Sequence, residues 1–407
     1  MSLLNKLSDP KVWEDFYNYK LEHSPEGKLR DLRSFIDEKR YLIVCENISE
    51  AKPFPLPEKA EVGKLSSEKK RTVYTYPQDE NMLLKLLTYL LLRKYDSVFS
   101  NNLYSFRPGR GAKDAIAFLR RRPKIKEMFS YKTDIHNYFN SVPVEKIIPM
   151  LEKILGDDKD LFDFLSSLLS EERVISKGEC IKEEKGIMAG TPLACFYANI
   201  YLMEMDDYFY KKNIPYARYS DDIILFAEDR EKLDEYISFL RTFTENKGLT
   251  INPDKEDIRA PGEPWIFLGF KYEKGITDIS PASLTKLKKK MRRKARALQR
   301  WRKRNNLTPD KAARAFIRIF NSKLFENSAH NELTWAYWFF PVINTSESLH
   351  EIDLYAQDCI RWLLTDTRTK ARFNARYDDI KQLGYRSLVH EYYSFSQEEK
   401  ENESIDN

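Results

Sequence analysis

Two adjacent carboxylates, Asp221 and Asp222, are the residues of this 407-residue chain whose types and spacing most clearly indicate chemistry. They lie within an apolar, β-prone segment, 218–226, which predicts a tight β-hairpin with its turn at residues 220–222. Like charges held side by side repel each other, so such a pair is usually neutralised by a cation. Mg²⁺ is the natural candidate because it prefers carboxylate and phosphate oxygens. Taken alone, the pair could also belong to an ordinary surface loop.

A third carboxylate, Asp134, stands near the end of a segment with the two-residue period of a half-buried strand. Phe129, Tyr131, Thr133 and Ile135 form one side of the alternation. Three carboxylates on two strand ends are what a two-metal site requires, in which one ion activates an attacking 3′-hydroxyl and the other holds a triphosphate. The alternative is a strand-terminal acid that caps the next turn.

The segment 186–202 is a glycine-containing loop that runs into a predicted helix. Thr191 and Pro192 are a suitable N-cap and first-turn pair, and apolar residues follow at helical spacing, namely Leu193, Phe196, Ile200 and Met203. A loop that enters a helix offers backbone N–H groups to a nucleotide or template phosphate. An ordinary loop before a core helix would look the same.

In chain order, these three segments resemble the motifs of the reverse transcriptase domain of bacterial retroelements, meaning group II introns, retrons and their defence-associated relatives. The segments that match in the same order are 70–77, 104–116, 134–139, 186–202, 219–222, 248–255 and 267–270. The resemblance covers roughly residues 65–275. It implies an α+β right-hand polymerase, with fingers and palm built on an antiparallel sheet flanked by helices, a helical thumb and a C-terminal helical region.

The resemblance also implies roles for individual residues. Asp134, Asp221 and Asp222 would be catalytic and, with Ile135, would form the binding set for two Mg²⁺ ions. Lys255 matches a lysine near the leaving pyrophosphate, where a cation could donate a proton or neutralise charge; a solvated turn lysine is the alternative. The residues assigned to nucleotide binding are Lys70, Arg71, Arg107, Phe139, Ala189 and Gly190.

Phe139 falls where the family has an aromatic gate against the ribose 2′-hydroxyl, which predicts a preference for deoxynucleotides. A plain core aromatic is the alternative. Lys70, Arg71 and Arg107 are candidates for the triphosphate or the template backbone, since a guanidinium pairs well with phosphate. The chain departs from the family at Ala189, where a glutamine is usual. Its absence raises the questions of template handling, fidelity and nucleotide choice.

A basic segment follows the matched region. Residues 286–304 contain twelve Lys or Arg among nineteen residues, and apolar residues recur within them at helical spacing. A helix beginning at Ser280-Pro281 would carry one narrow apolar seam and a broad cationic face, as a thumb helix that grips a duplex would. The proposed nucleic-acid contacts are Lys288, Arg292, Arg293, Arg296 and Arg300; a merely solvated face is the alternative.

The predicted organisation has five parts: an N-terminal helical extension (1–60), fingers and palm (61–280), a basic thumb (281–345), a helical basic-aromatic region (346–395) and a disordered acidic tail (396–407). Further helices are expected after Thr308-Pro309 and over 346–364. Within 368–393, basic residues interleave with aromatic ones, which suits single-stranded RNA or a domain-packing face equally.

Composition is that of a soluble globular protein, with 42% hydrophobic residues, 32% charged residues and a net charge of +5. The four cysteines are scattered, which argues against a zinc site and a disulfide framework. The most apolar run, 83–92, is too short to span a bilayer and predicts a buried helix. No signal peptide is evident. We therefore expect a cytoplasmic protein without a membrane partner.

The expected function is an RNA-directed DNA polymerase that makes cDNA from deoxynucleotides. Its partners would be an RNA template, most plausibly a structured non-coding RNA, and nascent DNA. Antiphage defence is inferred from the family alone. Two alternatives stay open: an untemplated or protein-primed DNA polymerase, and an RNA-binding, maturase-like splicing cofactor. The sequence also leaves open whether the chain forms a homo-oligomer or needs an accessory protein.

Overall fold

The structure, a computed structural model, describes residues 2–24, 26–63, 70–325 and 335–405. It divides into two compact units, one up to Glu263 and one from Pro264. Both units mix helices with antiparallel strand pairs, which confirms the predicted α+β class.

The helices of the first unit lie between and around its strands. In chain order they are α1 (Pro10–His23), α2 (Arg30–Asp37), α3 (Tyr41–Ser49), α4 (Gln78–Lys94), α5 (Ala112–Arg120), α6 (Tyr138–Ser141), α7 (Val144–Ile154), α8 (Lys159–Ser170), α9 (Ala194–Tyr201), α10 (Met203–Lys211) and α11 (Arg230–Asn246). Helix α4 contains the apolar run 83–92 and buries Leu83 and Leu87 completely. The prediction of a buried helix there is confirmed.

The strands of the first unit form two sheets. They are β1 (Glu58–Gly63), β2 (Lys70–Thr75), β3 (Phe129–Asp134), β4 (Arg173–Ser176), β5 (Glu179–Lys182), β6 (Tyr216–Tyr219), β7 (Asp222–Ala227) and β8 (Asp257–Arg259). One sheet has the order β2-β1-β4-β5, and β1 runs parallel to β4. The other has the order β6-β7-β3-β8 and is antiparallel throughout.

The antiparallel sheet β6-β7-β3-β8 forms around two segments that the sequence predicts well. Tyr131 and Thr133 of β3 are fully buried, as the two-residue period requires. Strands β6 and β7 pair as a hairpin, which confirms the predicted turn. Helix α11 packs on β3 and β7. The apolar faces of these strands are thereby removed from water, which is the main stabilisation of such a sheet.

Helix α9 begins at Ala194, later than the predicted start at Thr191-Pro192. The hydroxyl of Thr191 donates a 2.9 Å hydrogen bond to the carbonyl oxygen of Met188 instead of capping the helix. That bond closes the preceding turn, so the loop extends by two residues. The predicted apolar face is confirmed, because Leu193, Phe196 and Ile200 are fully buried.

The second unit begins with a three-stranded sheet and continues with helices. The strands are β9 (Trp265–Phe267), β10 (Phe270–Glu273) and β11 (Ile276–Ile279), and the helices are α12 (Pro281–Arg304), α13 (Pro309–Leu324), α14 (Trp335–Phe339), α15 (Glu347–Thr365), α16 (Tyr377–Gln382) and α17 (Leu388–Ile405). Helices α12, α13 and α15 occupy the predicted positions. Ser280 caps α12, because its hydroxyl accepts a hydrogen bond from the Ser283 N–H.

The sheet β9-β10-β11 packs with the helices that follow it. The hydroxyl of Ser348 donates a 2.7 Å hydrogen bond to Asp278 of β11, and the rings of Phe270 and Phe339 lie 5.1 Å apart. The second unit therefore starts ahead of the expected thumb boundary at residue 281. Helix α17 also includes residues 396–405, for which disorder was expected; Glu, Gln and Lys are good helix formers.

Two further expectations concern the whole chain. In the described ranges, no helix is both long and apolar enough to cross a membrane. The cysteines Cys45, Cys180, Cys195 and Cys359 are free thiols.

Candidate active site

Three carboxylates meet where β3 ends and β7 begins. Asp134 is the last residue of β3 and is paired in register with Asp222, the first residue of β7. The backbone N–H of Ile135 donates a 3.3 Å hydrogen bond to the carbonyl oxygen of Asp221. Opposed residues of an antiparallel pair have Cβ atoms about 4.5–5.5 Å apart. The structure thus brings together the three acids that the sequence singled out.

A buried ion pair stabilises the turn that carries Asp221. Arg218 and Asp206 are both fully buried, and a guanidinium nitrogen of Arg218 lies 2.5 Å from the carboxylate of Asp206. The same guanidinium donates a 3.1 Å hydrogen bond to the carbonyl oxygen of Ser220. Breaking a buried pair on one side costs several kcal/mol. This ion pair therefore fixes the turn firmly.

Ser105 also stabilises the turn that carries Asp221. Its hydroxyl accepts a 2.8 Å hydrogen bond from the N–H of Ser220, whose φ of 62° lies in the left-handed region. Sequence reasoning missed Ser105, Arg218 and Asp206 as supporting residues. The signal that could have found one of them is an arginine inside an otherwise apolar strand, two positions before the turn.

Burial and mutual repulsion shape the titration of the acid pair. Burial, together with the neighbouring charge of Asp221, raises the pKa of Asp222 to about 6. Burial also raises the pKa of Asp221, with a smaller contribution from Asp134. The ionised form of both groups is therefore less stable than that of a free carboxylate, and a bound cation would stabilise it.

The donor set fits a divalent cation that keeps part of its own coordination shell. Oδ1 of Asp134 is buried and has no hydrogen-bond partner. This oxygen could therefore coordinate a cation. Within the described ranges, no group of three or more His, Cys, Asp or Glu residues is arranged so that its side chains alone could hold a metal ion. Mg²⁺ is commonly bound through one or two carboxylates together with substrate phosphates and water. Ile135 is apolar and 2% exposed, so only its main chain could contribute.

Lys255 is brought to the carboxylates by a short helical turn, Pro253–Lys255. Its ammonium lies 3.2 Å from Oδ2 of Asp134, and its side chain is 59% exposed. The preceding segment is fixed to the end of β3, because the Asn252 N–H donates a 2.9 Å hydrogen bond to the Asp134 carbonyl oxygen. The ammonium group of Lys255 therefore lies at the candidate site and is also accessible to a substrate.

The glycine loop is joined to the segment that follows Asp134. The N–H of Ile187 donates a 2.8 Å hydrogen bond to the carbonyl oxygen of Phe139. At Gly186, whose φ is +53°, an added Cβ would lie 2.5 Å from that same oxygen. Only glycine allows this approach. Phe139 is half-buried in α6, and its ring lies 5.6 Å from that of Tyr138.

Asn140 connects the glycine loop to strand β2, and sequence reasoning missed it. Its Oδ1 accepts a 3.0 Å hydrogen bond from the Ala189 N–H, and its Nδ2 donates to the carbonyl oxygen of Thr72 at 3.2 Å. The Tyr74 N–H of β2 also donates a 2.8 Å hydrogen bond to the Ala189 carbonyl oxygen of the loop. An added Cβ at Gly190 would lie 3.0 Å from the Tyr74 carbonyl oxygen. Both loop residues are thus tied to β2.

The predicted cationic contacts are placed differently from one another. Arg71 is exposed, and its positive charge slightly counteracts the rise in the pKa of Asp221, so it lies near enough to act on that carboxylate. Lys70 is ion-paired with Glu61 at 2.7 Å on the surface of the β1–β2 hairpin, and within the described ranges no contact joins it to the three acids.

The structure does not support Arg107 as a nucleotide contact. Its side chain is 3% exposed and is paired with Asp96 at 2.7 Å, and its guanidinium also donates to the carbonyl oxygens of Ser100 and Leu103. These bonds use the donors that a phosphate would need. We therefore correct its expected role to that of a structural residue that joins the segments around Asp96 and Leu103.

The second unit carries the basic helix α12. Arg292, Arg293, Arg296 and Arg300 are exposed. Lys288 instead forms an ion pair with Glu351 of α15. The positive charges of Arg292 and Arg296 act on Tyr355 of α15. The helix thus exposes four of the five cations predicted to contact nucleic acid.

The aromatic-basic segment 368–393 divides between packing and exposure. Tyr385 and Tyr392 are buried, and their hydroxyls donate to Asp353 and to the Ile343 carbonyl oxygen. Phe373 is 52% exposed, and Arg368 lies 4.3 Å from the ring of Trp362. The packing interpretation is therefore confirmed for Tyr385 and Tyr392, and RNA binding by the exposed residues stays a prediction.

Comparisons with known proteins place the site in context. The family model described as reverse transcriptase (RNA-dependent DNA polymerase) matches residues 63–272, just over half of the chain. No curated protein matches the chain.

Two solved structures are similar at low identity. Apo telomerase from Candida tropicalis has 10% identity and a TM-score of 0.48, with 84% of this chain and 66% of that chain covered. Telomerase from Candida albicans with a fragment of telomeric RNA has 14% identity and a TM-score of 0.45, with coverages of 81% and 64%. The chain thus spans less than two thirds of these telomerases.

Proposed function

The chain belongs to the reverse transcriptase (RNA-dependent DNA polymerase) family and carries its enzyme domain, and on this premise we propose that it copies RNA into DNA from deoxynucleoside triphosphates. The observation that carries the proposal is the in-register pairing of Asp134 with Asp222 beside the Asp221 turn. Two strands are needed to build this trio, and both are held by the surrounding sheet.

Asp134, Asp221 and Asp222 would hold two Mg²⁺ ions, which supply activation of the primer 3′-hydroxyl and neutralisation of the triphosphate when bound. The unpartnered Oδ1 of Asp134 supports this assignment. Arg71, whose charge acts on Asp221, would hold the triphosphate from the β2 side, since guanidinium groups pair well with phosphate.

Lys255 would act on the other side of the carboxylates. Its exposed ammonium can neutralise charge on the leaving pyrophosphate or transfer a proton to it. Phe139 would select the sugar, because a rigid ring next to C2′ leaves no room for a hydroxyl. The joined segment of Phe139, Asn140 and Ala189 would hold the incoming nucleotide against β2.

The template would be a structured non-coding RNA. The exposed arginines of α12 support nucleic-acid binding through phosphate contacts, which do not depend on sequence. A role in antiphage defence, in the cytoplasm, is proposed from the resemblance to defence-associated bacterial members, and no particular residue adds to it.

The decisive experiment compares Asp221→Asn with Asp234→Asn. Asp234 lies on α11 in an exposed ion pair with Arg230, so its variant controls for the loss of one surface charge. On an RNA template with a DNA primer, Asp221→Asn should lower the rate of dNTP addition by on the order of a thousandfold, equivalent to several kcal/mol of transition-state stabilisation. Equal activity of both variants would refute the proposed site.

A second candidate function is DNA synthesis without a template. Ala189 favours it, because the glutamine that usually contacts nucleotide and template is replaced by a methyl group in a loop that is 9% exposed at this point. Sequencing the products made with and without RNase pretreatment separates the two functions. Products that copy the added RNA support reverse transcription, and products unaffected by RNase support untemplated synthesis.

A further inference from the structure

A groove of about 840 Å³ lies in the first unit, away from the carboxylates. It is formed where helix α5 ends and where helix α10 leads into β6. The lining residues used below are Phe118, Arg121, Arg122, Tyr210, Lys211 and Asn213. The proposed polymerase chemistry does not use any of them.

The groove and the candidate active site lie at opposite ends of the same strands. Arg122 precedes the start of β3, whereas Asp134 ends it; Asn213 precedes β6, whereas Asp221 follows it. At about 3.3 Å per strand residue, the strands separate the groove from the carboxylates by roughly 20 Å. A ligand in the groove would therefore not occupy the catalytic site.

Two arginines give the groove its charge. Arg121 is exposed, and its side chain forms no hydrogen bond or ion pair within the described part of the chain. Arg122 donates a 2.8 Å hydrogen bond to the amide oxygen of Asn213, but its Nε is buried without a partner. Arg122 therefore keeps its full charge, since its partner is neutral.

The surroundings of the groove are also basic. Five of the seven residues 120–126 are Lys or Arg, and none is acidic. Lys211 forms an exposed ion pair with Asp207 at 3.2 Å. Asp114, the acid in the lining, is used to accept a 2.7 Å hydrogen bond from the Gly111 N–H. The acids at the groove therefore leave a positive excess.

Aromatic rings alternate with these cations. The guanidinium of Arg122 stacks on Phe118, 4.5 Å from the ring centroid. Tyr210 is 45% exposed, and its hydroxyl accepts a 3.1 Å hydrogen bond from Asn101, which fixes the ring at the groove. Guanidinium groups for phosphate and open rings for bases are the combination that binds single-stranded nucleic acid.

We propose that this groove binds a single-stranded segment of RNA, with phosphates on Arg121 and Lys211 and a base stacked on Tyr210. The proposal deepens the proposed function and rests on it: the template RNA would be held at a second point, outside the catalytic site. An acidic protein segment would use the cations but gain nothing from the exposed ring.

The test uses the full chain and a fluorescent 40-nucleotide single-stranded RNA. The variant Arg121→Ala/Lys211→Ala is compared with Lys153→Ala/Lys159→Ala, which removes two exposed lysines elsewhere in the first unit. The groove variant should weaken RNA binding about tenfold and reduce the slope of log Kd against log salt by about 1.4, for two lost phosphate contacts. The control should change neither value appreciably.

Tyr210 separates stacking from charge. Tyr210→Ala should weaken RNA binding about fivefold to tenfold with an unchanged salt slope, and Tyr210→Phe, which keeps the ring, should bind as the wild type does. Polyglutamate of matched charge should compete poorly. Equal effects of the groove and control variants, or polyglutamate binding as tight as that of RNA, would overturn the proposal.

A short primer-template distinguishes this proposal from the proposed function. A primer-template of about five base pairs, with no overhang beyond the nucleotide to be copied, has a duplex about 17 Å long at about 3.4 Å per base pair. It cannot reach a groove roughly 20 Å from the carboxylates, so the groove variant should extend it at the wild-type rate. Loss of extension on the short substrate in the groove variant would overturn the separate-site proposal. Absence of extension in the wild-type chain would instead refute the proposed function.

Discussion

The ammonium of Lys255 lies 3.2 Å from Oδ2 of Asp134, although 121 residues separate the two along the chain. The contact depends on the segment before Lys255, which is hydrogen-bonded to the end of β3. A cation at this position can stabilise the empty carboxylates and can also serve the leaving group during catalysis. These two roles lead to different results when the lysine is replaced.

We expect Lys255→Ala to slow single-turnover dNTP addition by about 100-fold, the lower end of the range for a lost general acid. Lys255→Arg should retain part of the rate, because it keeps the charge but not the same proton donor. Quench-flow rates measured between pH 6 and 9 check this. The control is Lys232→Ala, a surface lysine on α11. A wild-type rate in Lys255→Ala would reduce Lys255 to a counter-ion.

Asp222→Asn should stabilise the metal-free protein. The folded-state pKa of Asp222 is about 6, above its ordinary 3.8, so the folded chain binds this proton more tightly than the unfolded chain does. The stability that this group contributes is therefore present below pH 4 and is lost as pH rises through about 6. At pH 7.5 with EDTA, the variant should gain about 1–3 kcal/mol. Urea unfolding at pH 4 and 7.5 checks the prediction.

Mg²⁺ should reverse the order of stability at pH 7.5. A ligand that binds the folded state raises its stability by mass action, and the wild-type chain keeps all three carboxylates whereas Asp222→Asn lacks one. We expect millimolar Mg²⁺ to raise the unfolding midpoint of the wild type more than that of the variant. An equal rise in both would contradict the assignment of Asp222 to the metal site.

Phe139→Val should relax sugar selection. A smaller side chain leaves room for a 2′-hydroxyl, so the preference for dNTP over the matching rNTP should fall about 10- to 100-fold, as expected when a steric contact is removed. The ratio of kcat/KM for dCTP and CTP on one template measures this. Phe129→Val, a half-buried phenylalanine at the other end of β3, should leave the ratio unchanged.

Asn140→Ala should weaken nucleotide binding more than it slows chemistry. The change leaves the Ala189 N–H and the Thr72 carbonyl oxygen without their partner, which loosens the loop against β2. We expect a rise of about 5- to 20-fold in the KM for dNTP and a loss of about 1–2 kcal/mol in stability.

Asn321→Ala is a matched control for Asn140→Ala. Asn321 also joins two backbone groups, the Gly384 carbonyl oxygen and the Arg386 N–H, in the second unit. It should cost similar stability without a change in KM. If both variants change KM alike, the effect of Asn140 is a general loss of stability and not a local one.

Periodicity and turn chemistry predicted the elements that carry the site. The two-residue alternation over 129–135 gave strand β3, and the apolar flanks of the acid pair gave the β6–β7 hairpin. Helical spacing and the Ser-Pro and Thr-Pro starts gave α12 and α13. These signals are local, because they record which side of an element faces the core.

Partner choice was not predictable in the same way. Arg107 and Arg71 are both arginines in matched segments, yet Arg107 is buried against Asp96 while Arg71 is exposed and its charge acts on Asp221. Lys70 forms an ion pair with Glu61 across the β1–β2 hairpin. Asn140 and Ser105 carried no signal of their own, since each acts through a contact far along the chain. Arg218 carried one signal, its position inside an apolar strand, but that signal did not identify Asp206 as its partner.

The amino-acid sequence by itself determined the secondary structure around the acids, the basic face of α12 and the family resemblance, because these depend on residue type and near-neighbour spacing. The tertiary structure decided the register that opposes Asp134 to Asp222, the approach of Lys255, and the joining of Ala189 to β2 through Asn140. The physical reason is that register and long-range hydrogen bonds are chosen by packing the whole unit at once, where each buried polar group must find a partner.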